Sequence, residues 1–191
     1  MEVDRKTEVI NICLDRFIVN GLMETSTRNL ASALQLQNAG LYYYFSSKDE
    51  AVLACAEEAV VRLERALIIP AIADLGSLDN MMQNIQVRAN EMAPTMRFFV
   101  SVCTNKKYLK EVRPVLDKLD RRYEKYVDIF AQKLDCARDE IEPYFYMLIT
   151  SVCNYMIFAD AVFVTPQIRF ATNKFSQLIA QKNTMEGMLV Q

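Results

Sequence analysis

The sequence predicts an all-α protein. Hydrophobic residues make up 52% of its 191 residues, which excludes a disordered chain and supplies a sizeable core. The chain has only four Gly and five Pro, few for the tight turns of a hairpin-rich fold. No stretch alternates apolar and polar residues for long, whereas apolar residues recur at helical spacing. We therefore expect about nine helices, three in a small N-terminal head and the others in a larger body.

Local signals set the first helices. Apolar spacing predicts a helix over about residues 4–20, which Gly21 is placed to end. Ser26 is a candidate N-cap for a short second helix that reaches Leu34. A three-residue linker then leads to a third helix of about eight residues that ends near Phe45.

Capping residues and prolines divide the rest of the chain. Ser47 is a candidate N-cap for the fourth helix, and the acids that follow it suit the positive end of the helix dipole. This helix is expected to stop before Pro70. The remaining helices are expected over about residues 77–91, 94–103, 114–134, 139–164 and 167–182. In the third of these, acids and bases alternate over residues 117–128, which predicts a solvated helix face rather than a nucleic-acid patch.

Residues 26–45 form the most informative segment. Two short helices joined by a tight linker, after a longer helix, make a helix-turn-helix unit that places its last helix in the DNA major groove. Asn38, Ala39 and Gly40 begin that helix with small or amide side chains, so that its backbone can approach base edges. Asn38 is also suited to pair with adenine through two hydrogen bonds.

Three consecutive tyrosines follow, at positions 42–44. Three neighbouring helical positions cover about 300° of the circumference, so these side chains cannot all be buried. Some of the hydroxyl groups must point outward, where they can donate hydrogen bonds to phosphates. The alternative is an aromatic core turn in an unrelated helical protein.

The stretch STRNLASALQLQNAGLYYYFSSKDEAVLA resembles the N-terminal signature of the TetR family, in which T-x-R-x-L/I-A leads to L-Y-x-[HY]-F and x-x-K-x-x-L. Residues 26–53 match most of it without gaps, and the expected helix order also fits the family. The resemblance implies a DNA-binding head over residues 1–48 and a ligand-binding and dimerising body over residues 49–191. Leu41 and Phe45 would be packing residues. The residues implied to contact DNA are Thr27, Arg28, Asn38, Ala39, Gly40, Tyr42, Tyr43, Tyr44 and Lys48.

Three features of the head indicate modest DNA affinity. Gln35 stands where the family usually has Gly, and a left-handed Gln costs on the order of 1 kcal/mol. Gln37 stands where Ser or Thr is usual, which weakens the cap of the third helix. In addition, residues 1–50 hold five basic and seven acidic side chains, whereas phosphate neutralisation supplies most non-specific affinity.

The body has the Met and aromatic content of an adaptable apolar cavity. Asn154 and Asp160 are polar residues within apolar stretches, and their spacing of six directs them to different helix faces. The candidate ligand-binding residues are Met96, Phe99, Cys103, Tyr123, Tyr126, Asn154 and Asp160.

By resemblance, the protein is a cytoplasmic bacterial repressor that binds a palindromic double-stranded DNA operator as a homodimer. A small, apolar or aromatic effector would release it. A TetR-shaped dimeric adaptor that has weak or lost DNA binding is the alternative, which the acidic head favours.

Other function classes find little support. The chain has no His, which excludes His-containing triads and His-metal sites, and no glycine-rich phosphate loop, so we expect neither an enzyme nor a cofactor or metal site. Five widely spaced cysteines without a CxxC pair predict reduced core residues, and no signal peptide is evident. The apolar stretch over residues 144–164 is interrupted by Thr, Ser, Asn and Asp, which favours a buried helix over a membrane span.

Overall fold

The computed structural model describes residues 5–73, 78–159 and 161–189, and every regular element in them is helical. It confirms the predicted all-α class and roughly the predicted number of helices. The described helices are α1 (Arg5–Asn20), α2 (Thr27–Ala33), α3 (Asn38–Leu41), α4 (Lys48–Leu63), a π-helical segment (Glu64–Ile68), α5 (Ile69–Ala73), α6 (Leu78–Cys103), α7 (Arg113–Leu134), α8 (Arg138–Phe158) and α9 (Ala161–Leu189).

The chain divides into two compact units. The first unit combines residues 1–63 with 94–118, and the second combines residues 64–93 with 119–191. The chain passes between them at the junction of α4 with the π-helical segment, within α6 at Pro94, and within α7 after Lys118. The boundary at residue 48 between a DNA-binding head and a ligand-binding and dimerising body stays a prediction.

In the first unit, α1 packs against α4 and α2, and α2 packs against α3. Phe17 of α1 is buried and stacks on Phe98, with 5.6 Å between ring centroids. Arg62 near the end of α4 donates to the Asn11 side chain and pairs with Asp15, both on α1. This ion-pair and amide contact fixes the end of α4 to the middle of α1.

The predicted helix boundaries in the head are largely confirmed. Ser26 caps α2, since its hydroxyl accepts from the Asn29 backbone while the Asn29 side chain accepts from the Ser26 backbone. Gly21 has φ 93° and follows α1, and Gln35 in the linker has φ 55°, the left-handed geometry expected at this turn. Gln37 precedes α3 without a side-chain capping bond.

The third helix is shorter than predicted. It covers four residues, Asn38–Leu41, instead of about eight, and Tyr42–Tyr44 continue as a turn. The amides of Tyr43 and Tyr44 donate to carbonyls three residues earlier, so the backbone winds more tightly than an α-helix. The prediction was wrong because apolar spacing does not distinguish the two kinds of turn.

Pro70 and Pro94 do not end helices, contrary to expectation. Pro70 lies in α5, directly after the π-helical segment, and Pro94 lies inside α6. A proline ring collides with the carbonyl four residues earlier, and the wider π-helical turn relieves that collision before Pro70. Burial of Ala89 and Phe98 on either side of Pro94 supports the continuous helix α6.

The boundary between the last two helices also differs. We expected a helix to reach Val164, but α8 ends at Phe158 because Ala159 adopts a left-handed conformation with φ 56°. Val164 therefore belongs to α9. A left-handed alanine is unfavourable, so the sequence carries no signal for this stop.

In the second unit, α8 packs along α9, and the rings of Phe130, Phe145 and Phe175 meet in the core. The alternating charges of α7 lie mostly on an exposed face, as predicted. Among the described residues, no helix is both long and apolar enough to cross a membrane.

Candidate functional site

The turn after α3 presents two tyrosines to solvent. Tyr43 is 85% exposed and Tyr42 is 54% exposed, whereas Tyr44 is half-buried and meets the Tyr43 ring edge-on. Leu41 and Phe45, one turn apart, are buried. Because these two residues hold the segment to the core, Tyr42 and Tyr43 point outward, and their hydroxyls are available as hydrogen-bond donors.

Other predicted DNA-contact residues surround this turn. Arg28 on α2 and Ala39 on α3 are exposed, and Thr27 is half-buried. Asn38 is the first residue of α3. The polar and small residues of the prediction therefore occupy the start of α2 and the start of α3, the positions that face DNA in a helix-turn-helix.

Gly40 also has a packing function. A Cβ atom at this position would lie 3.2 Å from Cβ of Leu36. The linker and α3 therefore approach closely at Gly40, which explains a glycine there without any contact to DNA.

Lys48 makes a hydrogen bond within the head. Its Nζ donates to the carbonyl oxygen of Leu22 at 3.0 Å and lies 3.5 Å from that of Met23. Both carbonyls lie in the turn that follows α1, so Lys48 joins that turn to the start of α4. The sequence pattern indicated a phosphate contact and gave no sign of this second role.

Asp49 connects α4 to the segment between α6 and α7. Its carboxylate accepts hydrogen bonds from Lys107 Nζ at 2.6 Å and from the Tyr108 hydroxyl at 2.8 Å. The hydrogen bond from Lys107, and next that from Tyr108, lower the pKa of Asp49. Burial and then the neighbouring carboxylate raise the pKa of Tyr108. Sequence reasoning missed this contact because Lys107 and Tyr108 lie 58 and 59 residues from Asp49 along the chain.

The predicted ligand-binding residues fall in both units. Met96 and Phe99 are buried in α6, and Cys103 is the last residue of that helix; all three belong to the first unit. In the second unit, Tyr123 and Tyr126 are half-buried on α7, and Asn154 is exposed on α8. Asp160 lies outside the described residues.

Tyr123 and Tyr126 lie beside a buried acid that the sequence analysis did not select, Glu64. Glu64 begins the π-helical segment and is 7% exposed. Its Oε2 accepts a hydrogen bond from Arg122 at 2.6 Å. Burial, then the charge of Glu64 and a hydrogen bond to it, raise the pKa of Tyr126. Burial is also the main reason why the pKa of Tyr123 lies well above its ordinary value.

A signal for Glu64 exists in the sequence. It stands four residues after Val60 and four before Ile68, and both of these are buried. A charged residue in this register lies on the inner face of a helix, where it needs a partner.

A concave site in the same unit opens between α6, α8 and α9. It has a volume of about 520 Å³, and its wall includes Ile85, Val152, Ile168 and Arg169. Tyr155, also in the wall, donates its hydroxyl to Asn90 at 2.7 Å. None of the predicted ligand-binding residues in the described part of the chain lines it.

The described residues contain no group of three or more Cys, Asp and Glu side chains able to hold a metal ion. Burial raises the pKa of Cys13, Cys103 and Cys153 to about 11. These thiols are protonated at neutral pH and are poor nucleophiles.

Comparison with known proteins agrees with the helix-turn-helix assignment. Residues 15–55 match the family described as bacterial regulatory proteins, tetR family. A search of curated protein sequences gave no match.

Solved structures of TetR-family regulators share the whole fold. PfmR from Thermus thermophilus is 18% identical with a TM-score of 0.58, over 93% of this chain and 98% of that one. A regulator from Mesorhizobium loti is 17% identical with a TM-score of 0.62, over 94% and 98%. A regulator from Streptomyces coelicolor is 17% identical with a TM-score of 0.60, over 100% and 88%.

Proposed function

We propose that this chain, which carries a TetR-family N-terminal sequence and has the fold of TetR-family transcriptional regulators, represses transcription by binding operator DNA and releases it when a small effector binds. The observation that carries the proposal is the exposure of Tyr42 and Tyr43 on a helix-turn-helix whose inner residues are fixed in the core. Non-enzymatic regulation in the cytoplasm is part of the proposal.

The DNA-contact residues divide into two groups. Tyr42, Arg28 and Thr27 are proposed to contact phosphates, which position the protein without reading sequence. Asn38 is proposed to read a base edge, with Ala39 and Gly40 permitting close approach. Tyr43, Tyr44 and Lys48 complete the proposed surface; Lys48 would contact phosphate from the position where it also holds the α1–α2 turn.

The operator-binding form is proposed to be a homodimer formed through α8 and α9. Phe158, Val162 and Phe170 are large apolar residues exposed at the end of α8 and along α9. Exposed apolar patches of this kind mark association surfaces, and two-fold pairing matches a palindromic operator. Sedimentation at micromolar concentration is expected to give a dimer, and a profile with monomer alone would contradict this part of the proposal.

The effector is proposed to act through the helix that follows the head. α4 continues without interruption into the π-helical segment, which carries Glu64. An effector that prefers one arrangement of this helix shifts the population toward it, by as much as its affinities for the two arrangements differ. Two recognition helices fit an operator only when they stand about one DNA turn, roughly 34 Å, apart, so a change in that separation ends repression.

An electrophoretic shift with DNA from around the chain's own gene tests the proposal. We expect salt-sensitive binding, which Tyr42→Phe weakens on specific and non-specific DNA alike because a phosphate contact is lost. Asn38→Ala is expected to change the order of preference among operator variants instead. Val19→Ala, an exposed change on α1, serves as the control.

One observation favours a second candidate, a dimeric helical adaptor without DNA binding. Residues 1–50 carry a net charge of −2, which is unfavourable near phosphates. If no genomic fragment is bound at low salt while the protein is dimeric, the adaptor is the better description.

A further inference from the structure

One oxygen of the Glu64 carboxylate has no donor. The Glu64 side chain is only 9% exposed, and its Oε2 is paired with Arg122. Oε1 is buried, and no group in the described part of the chain donates a hydrogen bond to it. It is the one buried side-chain oxygen or nitrogen of which this holds among the described residues. A buried acceptor without a donor costs free energy, so it calls for an explanation.

The backbone at Glu64 is also unusual. Glu64 is the first residue of the π-helical segment, and such segments occur often at functional sites. Its neighbours Leu63, Leu67 and Ile68 are buried and apolar. A leucine at position 64 would suit this apolar face and would avoid the cost of the unpaired oxygen. Packing alone therefore does not account for the acid.

The groups around the carboxylate are aromatic. Tyr123 and Tyr126 of α7 follow Arg122, the carboxylate's partner, by one and four residues, and both interact with Glu64. The Tyr123 ring meets Phe145 and Tyr146 of α8 edge-on, at centroid distances of 6.2 and 6.5 Å. Aromatic rings arranged in this way offer edges and faces to the ring of a ligand.

We propose that Glu64 Oε1 accepts a hydrogen bond from a neutral N–H or O–H group of an aromatic effector, whose ring packs against Tyr123 and Tyr126. This inference rests on the proposed function, because it identifies how the effector of that regulator is recognised. Arg122 already balances the carboxylate charge, and its guanidinium repels an organic cation. A neutral donor satisfies the free oxygen without that repulsion.

The first test compares two ligands of the same shape. Indole carries a ring N–H, and benzofuran has an oxygen in its place. Calorimetric titration of the full chain, without DNA, is expected to show indole binding at least about tenfold more tightly, the effect of one hydrogen bond to a charged group. Equal affinities, or binding by neither compound, would overturn the proposal and leave an ordered water as the partner of Oε1. Tighter binding of benzylammonium than of indole would overturn the choice of a neutral ligand.

The second test locates the preference at Glu64. Glu64→Gln keeps the side-chain volume and lets the amide oxygen accept from Arg122, which turns an NH₂ donor toward the position of Oε1. The indole preference over benzofuran is expected to fall to about equal affinity, because two donors then face each other. Glu57→Gln makes the same change at an exposed α4 carboxylate paired with Lys118 and is expected to keep the preference. An unchanged preference in folded Glu64→Gln protein would place the ligand elsewhere.

The two proposals fail separately. If the chain prefers indole but binds no DNA fragment, the proposed repressor function is contradicted and the proposed ligand site at Glu64 is supported. If the chain binds DNA but shows no preference between the two ligands, the ligand site at Glu64 is contradicted and the DNA-binding function is supported.

Discussion

The head and the Glu64 region satisfy their polar groups in different ways. In the head, Ser26 and Asn29 cap α2 reciprocally, and the Ser47 hydroxyl accepts from the Glu50 amide. Each of these partners lies three residues from the other. At Glu64, one carboxylate oxygen depends on Arg122, 58 residues away, and the other has no donor in the described part of the chain. These capping groups of the head are thus satisfied locally, whereas the Glu64 region retains an unfilled hydrogen-bonding position of the kind that a ligand can fill.

The largest expected effect on stability concerns the head. Phe45→Ala removes a ring that is 1% exposed, and we expect it to lower the free energy of unfolding by about 3–5 kcal/mol. Tyr43→Ala, two residues earlier, removes an 85% exposed ring and is expected to change it by less than about 0.5 kcal/mol. Urea unfolding monitored by circular dichroism measures both. Similar losses in the two variants would mean that the tyrosine turn is part of the core.

The next largest effect on stability concerns the Glu64 region. Arg122→Met removes the ion-pair partner of a buried carboxylate and is expected to cost about 2–3 kcal/mol of unfolding free energy. Arg121→Met changes an exposed neighbour on α7 and serves as the control, with an expected change below about 0.5 kcal/mol. Urea unfolding at neutral pH compares them.

A double variant identifies the cause of that loss. If the cost of Arg122→Met is an unpaired buried charge, adding Glu64→Gln is expected to recover part of it, because a neutral amide is cheaper to bury. No recovery would show that the Arg122 stem contributes by packing instead.

The same contrast explains how far the sequence could be interpreted. The Ser26 cap, the Gly21 stop and the left-handed Gln35 depend on residues a few positions apart, and all three were predicted correctly. Pro70 and Pro94 were misjudged because tertiary packing and the π-helical segment keep their helices continuous. The left-handed Ala159 carries no local signal at all.

The functional residues follow the same rule. The tyrosine turn was recognised from a contiguous pattern, and the structure exposes Tyr42 and Tyr43. Glu64 was missed, although its position between Val60 and Ile68 placed it on a buried face. Its partner Arg122 belongs to a run of alternating charges that is elsewhere solvated, so the pattern alone does not single it out.

The smallest expected effect concerns Asp49, the acid that fixes the head to a distant segment. Because its pKa is lowered in the folded protein, Asp49 contributes stability above the unfolded pKa of about 4, and loses it as the pH falls through the folded value. Its side chain is 43% exposed, so solvent screening limits this contribution to less than about 1 kcal/mol. Asp49→Asn is therefore expected to be slightly less stable than the wild type at pH 7, with a difference that vanishes in acid. Asp117→Asn, at a 42% exposed carboxylate that pairs with Arg113 four residues away, provides the control in urea unfolding. If Asp49→Asn were as stable as the wild type at pH 7, the bonds from Lys107 and Tyr108 would bring no net stability to the folded protein.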